Sequence, residues 1–178
     1  MDWTYLLQLV WYFLPVYVAN GSPPLLAKLP LLGTWNAPVD LGRDWGKRRL
    51  FGDHKTWRGL IGGILLAGIV FLVQQRYVSI APLVPYAMLP WWLGFLLGAG
   101  ALLGDLVKSF FKRRITIKPG GNWAPFDQID YAVGAFLLSF PVFWPGLPAA
   151  LYLVVLSGAI SAAAHYLGFQ LKVNKERF

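Results

Sequence analysis

The chain has 178 residues, of which 57% are hydrophobic and 13% charged, and its 16 Lys and Arg against 8 Asp and Glu give a net charge of +8. So little polar surface cannot cover a soluble globule of this size, and several apolar runs of bilayer length separate it from basic nucleic-acid binders. The absence of cysteine excludes disulfides, thiolate metal sites and cysteine nucleophiles, while the positive charge suits anionic lipid, phosphate or nucleotide.

The first apolar run, Trp3 to Val18, lacks a positive n-region. It is followed by Asn20-Gly21-Ser22-Pro23-Pro24 and not by a small-x-small cleavage site, so it reads as a span and not as a signal peptide. A polar loop follows, and just before the second run it carries Gly52-Asp53-His54-Lys55-Thr56-Trp57-Arg58-Gly59. Free N–H groups at a helix start favour anions, which makes Lys55, Thr56 and Arg58 candidate phosphate donors. It is not a P-loop, because His54 stands where a glycine precedes the lysine and no βαβ context surrounds it. His54 itself reads as a solvated loop histidine.

The second run, Gly59 to Tyr77, and the third, Tyr86 to Val107, contain the small-residue pairs Gly59/Gly63, Gly94/Gly98 and Gly100/Gly104, whose four-residue spacing lets helix backbones approach closely in lipid. These two helices are therefore expected at the core of the bundle. Beyond the third run, a continued helix puts Asp105, Lys108, Ser109 and Lys112 on one face. Lys112, Arg113 and Arg114 fit either a positive cytoplasmic flank or a phosphate site. A carboxylate at the end of an apolar helix is costly unless it meets a cation, a metal or water, which marks Asp105 as functional.

The next connection holds Lys118-Pro119-Gly120-Gly121, a turn able to present successive backbone N–H groups, and then Pro125-Phe126-Asp127-Gln128-Ile129-Asp130 at the start of the fourth run, Phe126 to Trp144. Asp127 near the N-cap and Asp130 near N3 suit helix capping. The same spacing aims two carboxylates at one cation, and Mg²⁺ commonly takes one or two carboxylates plus substrate phosphates, so capping and metal binding are compatible. The fifth run, Leu147 to Phe169, carries His165, expected to hydrogen-bond between helices. The third and fifth runs are long enough to cross roughly 30 Å of hydrocarbon, while the other three depend on flanking residues.

The expected fold is an all-α polytopic membrane protein: one domain over residues 1–178 with five transmembrane helices, and polar loops at about 19–58 and 108–125 forming the active site. Seven Lys or Arg lie between Lys28 and Arg58, five between Lys108 and Lys118, and three between Lys172 and Arg177, with Arg76 the remaining one. The positive-inside bias places both loops and the C-terminus in the cytoplasm and the N-terminus outside the cell membrane. Trp3, Trp11, Trp91, Trp92, Trp123 and Trp144 fall near predicted helix ends, as interfacial anchors do.

Ser109-x-x-Lys112-Arg113, Lys118-Pro119-Gly120 and Pro125-x-Asp127-Gln128-x-Asp130 resemble the signature of the phosphatidate cytidylyltransferase superfamily. With Asn20-Gly21 after the first helix and the Phe51 to Gly59 run before the second, nearly the whole chain resembles its archaeal CDP-archaeol synthase family. It departs from the bacterial phosphatidate enzymes in having Pro119 after Lys118 where they have Lys-Asp, in reducing His-Gly-Gly to Gly120-Gly121, and in placing Gln128 where they have arginine. The resemblance implies a cytidylyltransferase that takes CTP and an unsaturated ether-lipid phosphate, 2,3-bis-O-geranylgeranylglycerol 1-phosphate, to the CDP-activated lipid and pyrophosphate.

On that footing Asp105, Lys112, Asp127 and Asp130 are the expected catalytic residues, and the three aspartates the expected Mg²⁺ ligands. Asn20, Asp53, Lys55, Thr56, Arg58, Lys108, Ser109, Arg113, Lys118, Gly120 and Gly121 are expected to bind CTP or phosphate. A lipid phosphate is already anionic at neutral pH, so no Ser, Cys or His nucleophile is required, and positioning with charge neutralisation carries the reaction. Other readings are another lipid-phosphate cytidylyltransferase; a CDP-alcohol phosphotransferase, whose Asp-Gly-x-x-Ala-Arg lead is missing; and a non-enzymatic anionic-lipid binder, which leaves the aspartates without a role. A transporter would need ionisable residues along a path across the bilayer, and the central spans carry almost none.

Overall fold

The computed structural model describes residues 3–77, 84–117, 121 and 123–170; Lys118, Pro119, Gly120 and the tail cations Lys172, Lys175 and Arg177 lie outside the described residues, as does the side chain of His165. The elements in chain order are α1 (Trp3–Leu26), α2 (Pro30–Gly33), β1 (Asp44–Trp45), β2 (Arg48–Arg49), α3 (Trp57–Arg76), a 3₁₀ turn (Tyr86–Met88), α4 (Leu93–Arg114), α5 (Phe126–Ser139) and α6 (Leu147–Gln170). Three described helices are long and apolar enough to cross a membrane: α3, α4 and, over Leu147–Ala164, α6.

Several element ends differ from the sequence expectation. α1 continues eight residues past Val18, so that Asn20 to Pro24 are helical and not part of a loop. Pro23 has no N–H for the Ala19 carbonyl four residues back, and the Ser22 hydroxyl donates to that carbonyl at 3.1 Å instead, which lets the helix run on. The third run begins with a 3₁₀ turn and becomes helical only from Leu93, but then continues through the cations to Arg114, so Lys108 to Arg114 are also helical. α5 stops at Ser139, short of Trp144: Phe140 still has helical geometry and donates to the Phe136 carbonyl, but Pro141 after it has no N–H to continue the ladder. Its 14 residues span about 21 Å. The expected loops at 19–58 and 108–125 are accordingly shorter, and the first contains the antiparallel β1–β2 pair.

Tyr12, Phe13 and Val16 of α1, Phe71 of α3, Leu93 and Leu97 of α4 and Leu153 of α6 are fully buried and form the centre of the bundle. Ile61, Leu65, Ile69 and Leu72 form an exposed apolar stripe on α3, and Leu147, Leu151 and Val155 form another on α6, as lipid-facing surfaces require. The glycine pairs sit where helices touch. Gly94 and Gly98 of α4 face Ala67 and Phe71 of α3, and Gly63 faces Ala19 and Ser22 of α1. Gly100 and Gly104 meet Gly134 and the Asp130 backbone of α5, a partner helix the spacing did not identify.

A Cβ at Gly104 would run into the Asp130 carbonyl oxygen, which belongs to backbone and cannot swing away, whereas Gly21 has open space around it. Gly104→Ala should therefore destabilise the protein by on the order of 1–3 kcal/mol, through strain of the overpacking kind. Gly21→Ala should be nearly neutral. Thermal melts of both variants in detergent check this, and equal melting temperatures would remove the close α4–α5 approach as a constraint.

Candidate functional site

The polar end of the bundle is assembled from the 34–57 segment, the last turns of α4 and the first turn of α5. Chain segments 37–39 and 55–57 pair through Val39 N–H to Lys55 O at 2.7 Å and Trp57 N–H to Ala37 O at 3.0 Å, which fixes Lys55 just ahead of α3. Thr56 is the N-cap of α3, its hydroxyl accepting from Gly59 N–H at 3.3 Å. Arg58, expected among the phosphate donors, is buried and donates to the carbonyls of Leu32 and Gly33 and to Asn36 Oδ1 at 2.7–3.2 Å. It thus closes the C-terminal end of α2 and is a loop-holding residue. Ser109 is likewise turned to its own helix, donating to Asp105 O at 2.8 Å.

Asp40, which no motif marked, organises the loop. Its buried carboxylate accepts from Gly42, Phe51 and Gly52 N–H at 3.0–3.1 Å and pairs with Arg49 at 2.6 Å. Arg49 also holds the exposed Asp53 at 2.5 Å. Burial works against the charge on Asp40, but the Arg49 guanidinium and the three N–H groups outweigh it and hold the carboxyl at about 2. The β1–β2 hairpin docks on the end of α4: Arg48 donates to the carbonyls of Arg113 and Arg114 at 3.1 and 2.5 Å, and Arg114 donates back to Trp45 O and Arg49 O at 2.8 and 2.7 Å. These bonds satisfy carbonyls that a helix C-terminus leaves open.

Three lysines and three aspartates then meet. Lys55 pairs with Asp105. Lys112 donates to both oxygens of Asp127 at 2.9 and 3.0 Å. Lys108 Nζ lies 3.0 Å from Asp105, 3.1 Å from Asp127 and 2.8 Å from Asp130, and among the described residues it is the one cation touching all three. Pro125, not Asp127, is the N-cap of α5, so Asp130 lies beyond the capping turn, while Asp127 also accepts from Trp123 N–H. Among the described residues no three metal-type side chains are arranged to hold an ion directly, and the Lys108 ammonium stands between the three carboxylates.

Two cavities adjoin this cluster. An open groove of about 730 Å³ runs between α4 and α5, walled by Leu103, Val107, Phe111, Ile129, Val133 and Leu137, with Lys108 and Asp130 at one end. Trp123 and Phe126, ring centroids 4.6 Å apart, flank the same end, so Trp123 belongs to the groove as well as to the interface. A smaller basic pocket of about 280 Å³ is lined by Arg48, Arg49, Asp53, His54, Arg113 and Thr116. The expected residues Asp105, Lys108, Lys112, Asp127, Asp130 and Lys55 are thus brought together, Arg113 and Asp53 sit at the neighbouring pocket, and among the described residues no polar contact places Asn20 or Gly121 in the ionic cluster.

Fold and site together define a class: a helical membrane protein with an ionic site at the end of an apolar groove, suited to a ligand that is anionic at one end and hydrocarbon at the other. The sequence profile of the CDP-archaeol synthase (CarS-like) family matches residues 3–177, and the chain belongs to that family. It is 37% identical to the CDP-archaeol synthase of Pyrococcus furiosus over 94% of this chain and 95% of that one, and 38% identical to that of Thermococcus onnurineus over 96% of each. The CDP-archaeol synthase of Pyrobaculum aerophilum is 35% identical over 99% of each chain. A solved structure of an intramembrane enzyme for archaeal membrane lipid biosynthesis superposes with a TM-score of 0.71 at 26% identity, covering 87% of this chain and 90% of that one.

Because the carboxyl of Asp40 is held below its ordinary value, the stability it contributes is present above the unfolded-chain value and is lost as pH falls through about 4 towards about 2. Asp40→Asn should lower stability by on the order of 2 kcal/mol at about pH 7. The gap between variant and wild type should narrow over that acid window. Thermal melts across the pH range test this, and a gap independent of pH would show that Asp40 acts without its charge.

Proposed function

We propose that the Lys–Asp cluster is the active site of a CTP-dependent cytidylyltransferase that acts on 2,3-bis-O-geranylgeranylglycerol 1-phosphate, giving the CDP-activated ether lipid and pyrophosphate for membrane phospholipid synthesis. The observation that carries this reading is the convergence of Lys55, Lys108, Lys112, Asp105, Asp127 and Asp130 at the end of the α4–α5 groove. The groove takes hydrocarbon chains along its apolar walls and leaves the phosphate at Lys108. The pocket lined by Arg48, Arg49 and Arg113 takes the nucleotide phosphates, whose charge suits guanidinium forks.

In the reaction an oxygen of the lipid phosphate attacks the α-phosphorus of CTP. A new P–O bond forms, the bond to the β-phosphate bridging oxygen breaks, and its electron pair leaves with pyrophosphate. No protein nucleophile is needed. Lys55 and Lys112 set positive charge beside the reacting phosphates, and burial of the cluster strengthens that field. The donor chemistry suits Mg²⁺ once the Lys108 ammonium leaves the centre it fills: the carboxylates of α4 and α5 are hard oxygen donors, and Asp130 Oδ2, although near Lys108 Nζ, has no aligned hydrogen bond. Asp105, Asp127 and Asp130 would hold the ion, which when bound supplies charge neutralisation for the triphosphate.

The reading includes five spans, with α1 and the short α5 crossing alongside α3, α4 and α6, and the ionic end facing the cytoplasm. The hairpin contacts to α4 bring the cations of the first long loop and those of α4 to one end, while Arg76 closes α3 at the other. Since the chain has no cysteine, single cysteines report cleanly. One at the exposed Thr116 should be protected from an impermeant thiol reagent in intact cells, and one at the exposed Met88 should react. The reverse pattern would invert the orientation.

CTP-dependent lipid conversion by Asp127→Asn and Asp130→Asn tests the assignment. Each should lose on the order of 10²-fold or more in turnover, as loss of one electrostatic group at such centres does, while staying folded. Glycerol phosphate, lacking chains, should be a very poor substrate at saturating CTP. Wild-type turnover by both variants, or equal use of the chainless compound, would sink the reading.

A further inference from the structure

Lys108 was expected only as one more phosphate-binding cation, yet it occupies an unusual position. Its ammonium is the meeting point of three carboxylates from two helices, at 2.8–3.1 Å. The other two lysines each serve one partner, Lys55 with Asp105 and Lys112 with Asp127. Asp130 depends on Lys108 for its charge contact and is 7% exposed. Three carboxylates packed this closely repel one another, and a single ammonium at their centre offsets that cost. Lys108 also lines the groove between α4 and α5 together with Asp130, so the same flexible side chain borders two compartments. A lysine, unlike an arginine, is a compact point charge on a rotatable stem and can exchange one anion for another without a fixed fork geometry.

We propose that Lys108 is a resident counter-ion that holds the Asp105, Asp127 and Asp130 carboxylates until a divalent cation takes them, whereupon its ammonium is released to the phosphate in the groove. This rests on the proposed divalent site and goes beyond it by giving the chain an internal cation that competes with the metal. A divalent ion and Lys108 cannot both sit at the centre of the carboxylates, because two cations in contact at short range repel strongly in a site shielded from water. Displaced from that centre, the ammonium has the mouth of the groove beside it, which Lys108 already lines. Metal loading and lipid-phosphate binding are then coupled through one side chain, and by linkage each raises the affinity for the other. Lys108 is in this sense a positioning residue for the carboxylates as well as a phosphate contact.

The test uses the full-length protein in detergent, with Mn²⁺ as a spectroscopic probe of the divalent site. Lys108→Gln should bind Mn²⁺ on the order of tenfold more tightly than wild type, the size of a typical coupling between sites. Its melting temperature should also rise more on addition of Mg²⁺ than that of the wild type does. The second readout needs no variant: reductive methylation of wild-type lysines, quantified by mass spectrometry against the exposed Lys47 in the β1–β2 turn. Mn²⁺ should raise labelling of Lys108 severalfold relative to Lys47, and a lipid phosphate added with Mn²⁺ should suppress it again. Tighter Mn²⁺ binding by the variant with unchanged labelling of wild-type Lys108 would mean a field effect only and would overturn the exchange. Equal Mn²⁺ affinity in wild type and variant would overturn it while leaving the metal site intact. No Mn²⁺ binding in either protein would overturn the divalent-site reading and the exchange with it. If the variant fails to fold, the labelling result decides alone.

Discussion

The site depends on one steric fact, the backbone contact between α4 and α5. Gly100 and Gly104 on one helix and Gly134 on the other have no Cβ, and a Cβ at any of the three would strike the opposing backbone. In lipid there is no hydrophobic penalty for separating two apolar helices, so their association relies on such close packing and on polar contacts across the seam. Both are present here, one above the other. The same three glycines also line the groove, which opens along the seam beside them. At their level, Lys108 on α4, which also pairs with Asp105 of its own helix, is brought within ion-pair reach of Asp127 and Asp130 on α5.

That juxtaposition explains how an apolar bundle tolerates so many charges. Three ammonium groups face three carboxylates, and each carboxylate has at least one cation within 3.1 Å. A balanced cluster of this kind contributes little net stability, because desolvation consumes most of the attraction, but removing one partner leaves a buried charge uncompensated. Such an arrangement suits a site whose ligands carry high charge of both signs. An incoming charged group can take over one of these internal ion pairs without leaving a bare buried charge behind.

The loop before α3 has a different task. Asp40 gathers three backbone N–H groups and Arg49, Arg58 closes α2, and Arg48 and Arg114 tie the hairpin to the end of α4. Four of the cations that a charge count assigns to phosphate or to topology, Arg48, Arg49, Arg58 and Arg114, are therefore committed to holding this loop. Their consequence for function is indirect but specific: they fix Lys55 against Asp105 and shape the basic pocket lined by Arg113 and His54.

What could be read from the sequence was set by local chemistry. Long apolar runs gave the helical membrane character, four-residue glycine spacing marked the helix seams, and the i, i+3, i+4, i+7 pattern put Asp105, Lys108, Ser109 and Lys112 on one face once α4 continued to Arg114. The motif resemblance identified the family, because the order and spacing of polar residues along a chain survive without any knowledge of the fold. Spacing could not say which cations face a ligand and which face the protein's own carbonyls: Arg58 and Lys55 are three residues apart, yet one is buried under α2 and the other reaches Asp105. Nor could it find Asp40, an isolated acid in a polar loop, or the partnership of Gly134 with Gly100 and Gly104. Those were decided by tertiary structure, since a side chain's role follows from what approaches it across the fold, and here the approach distance is fixed by glycines on two helices some thirty residues apart in the chain.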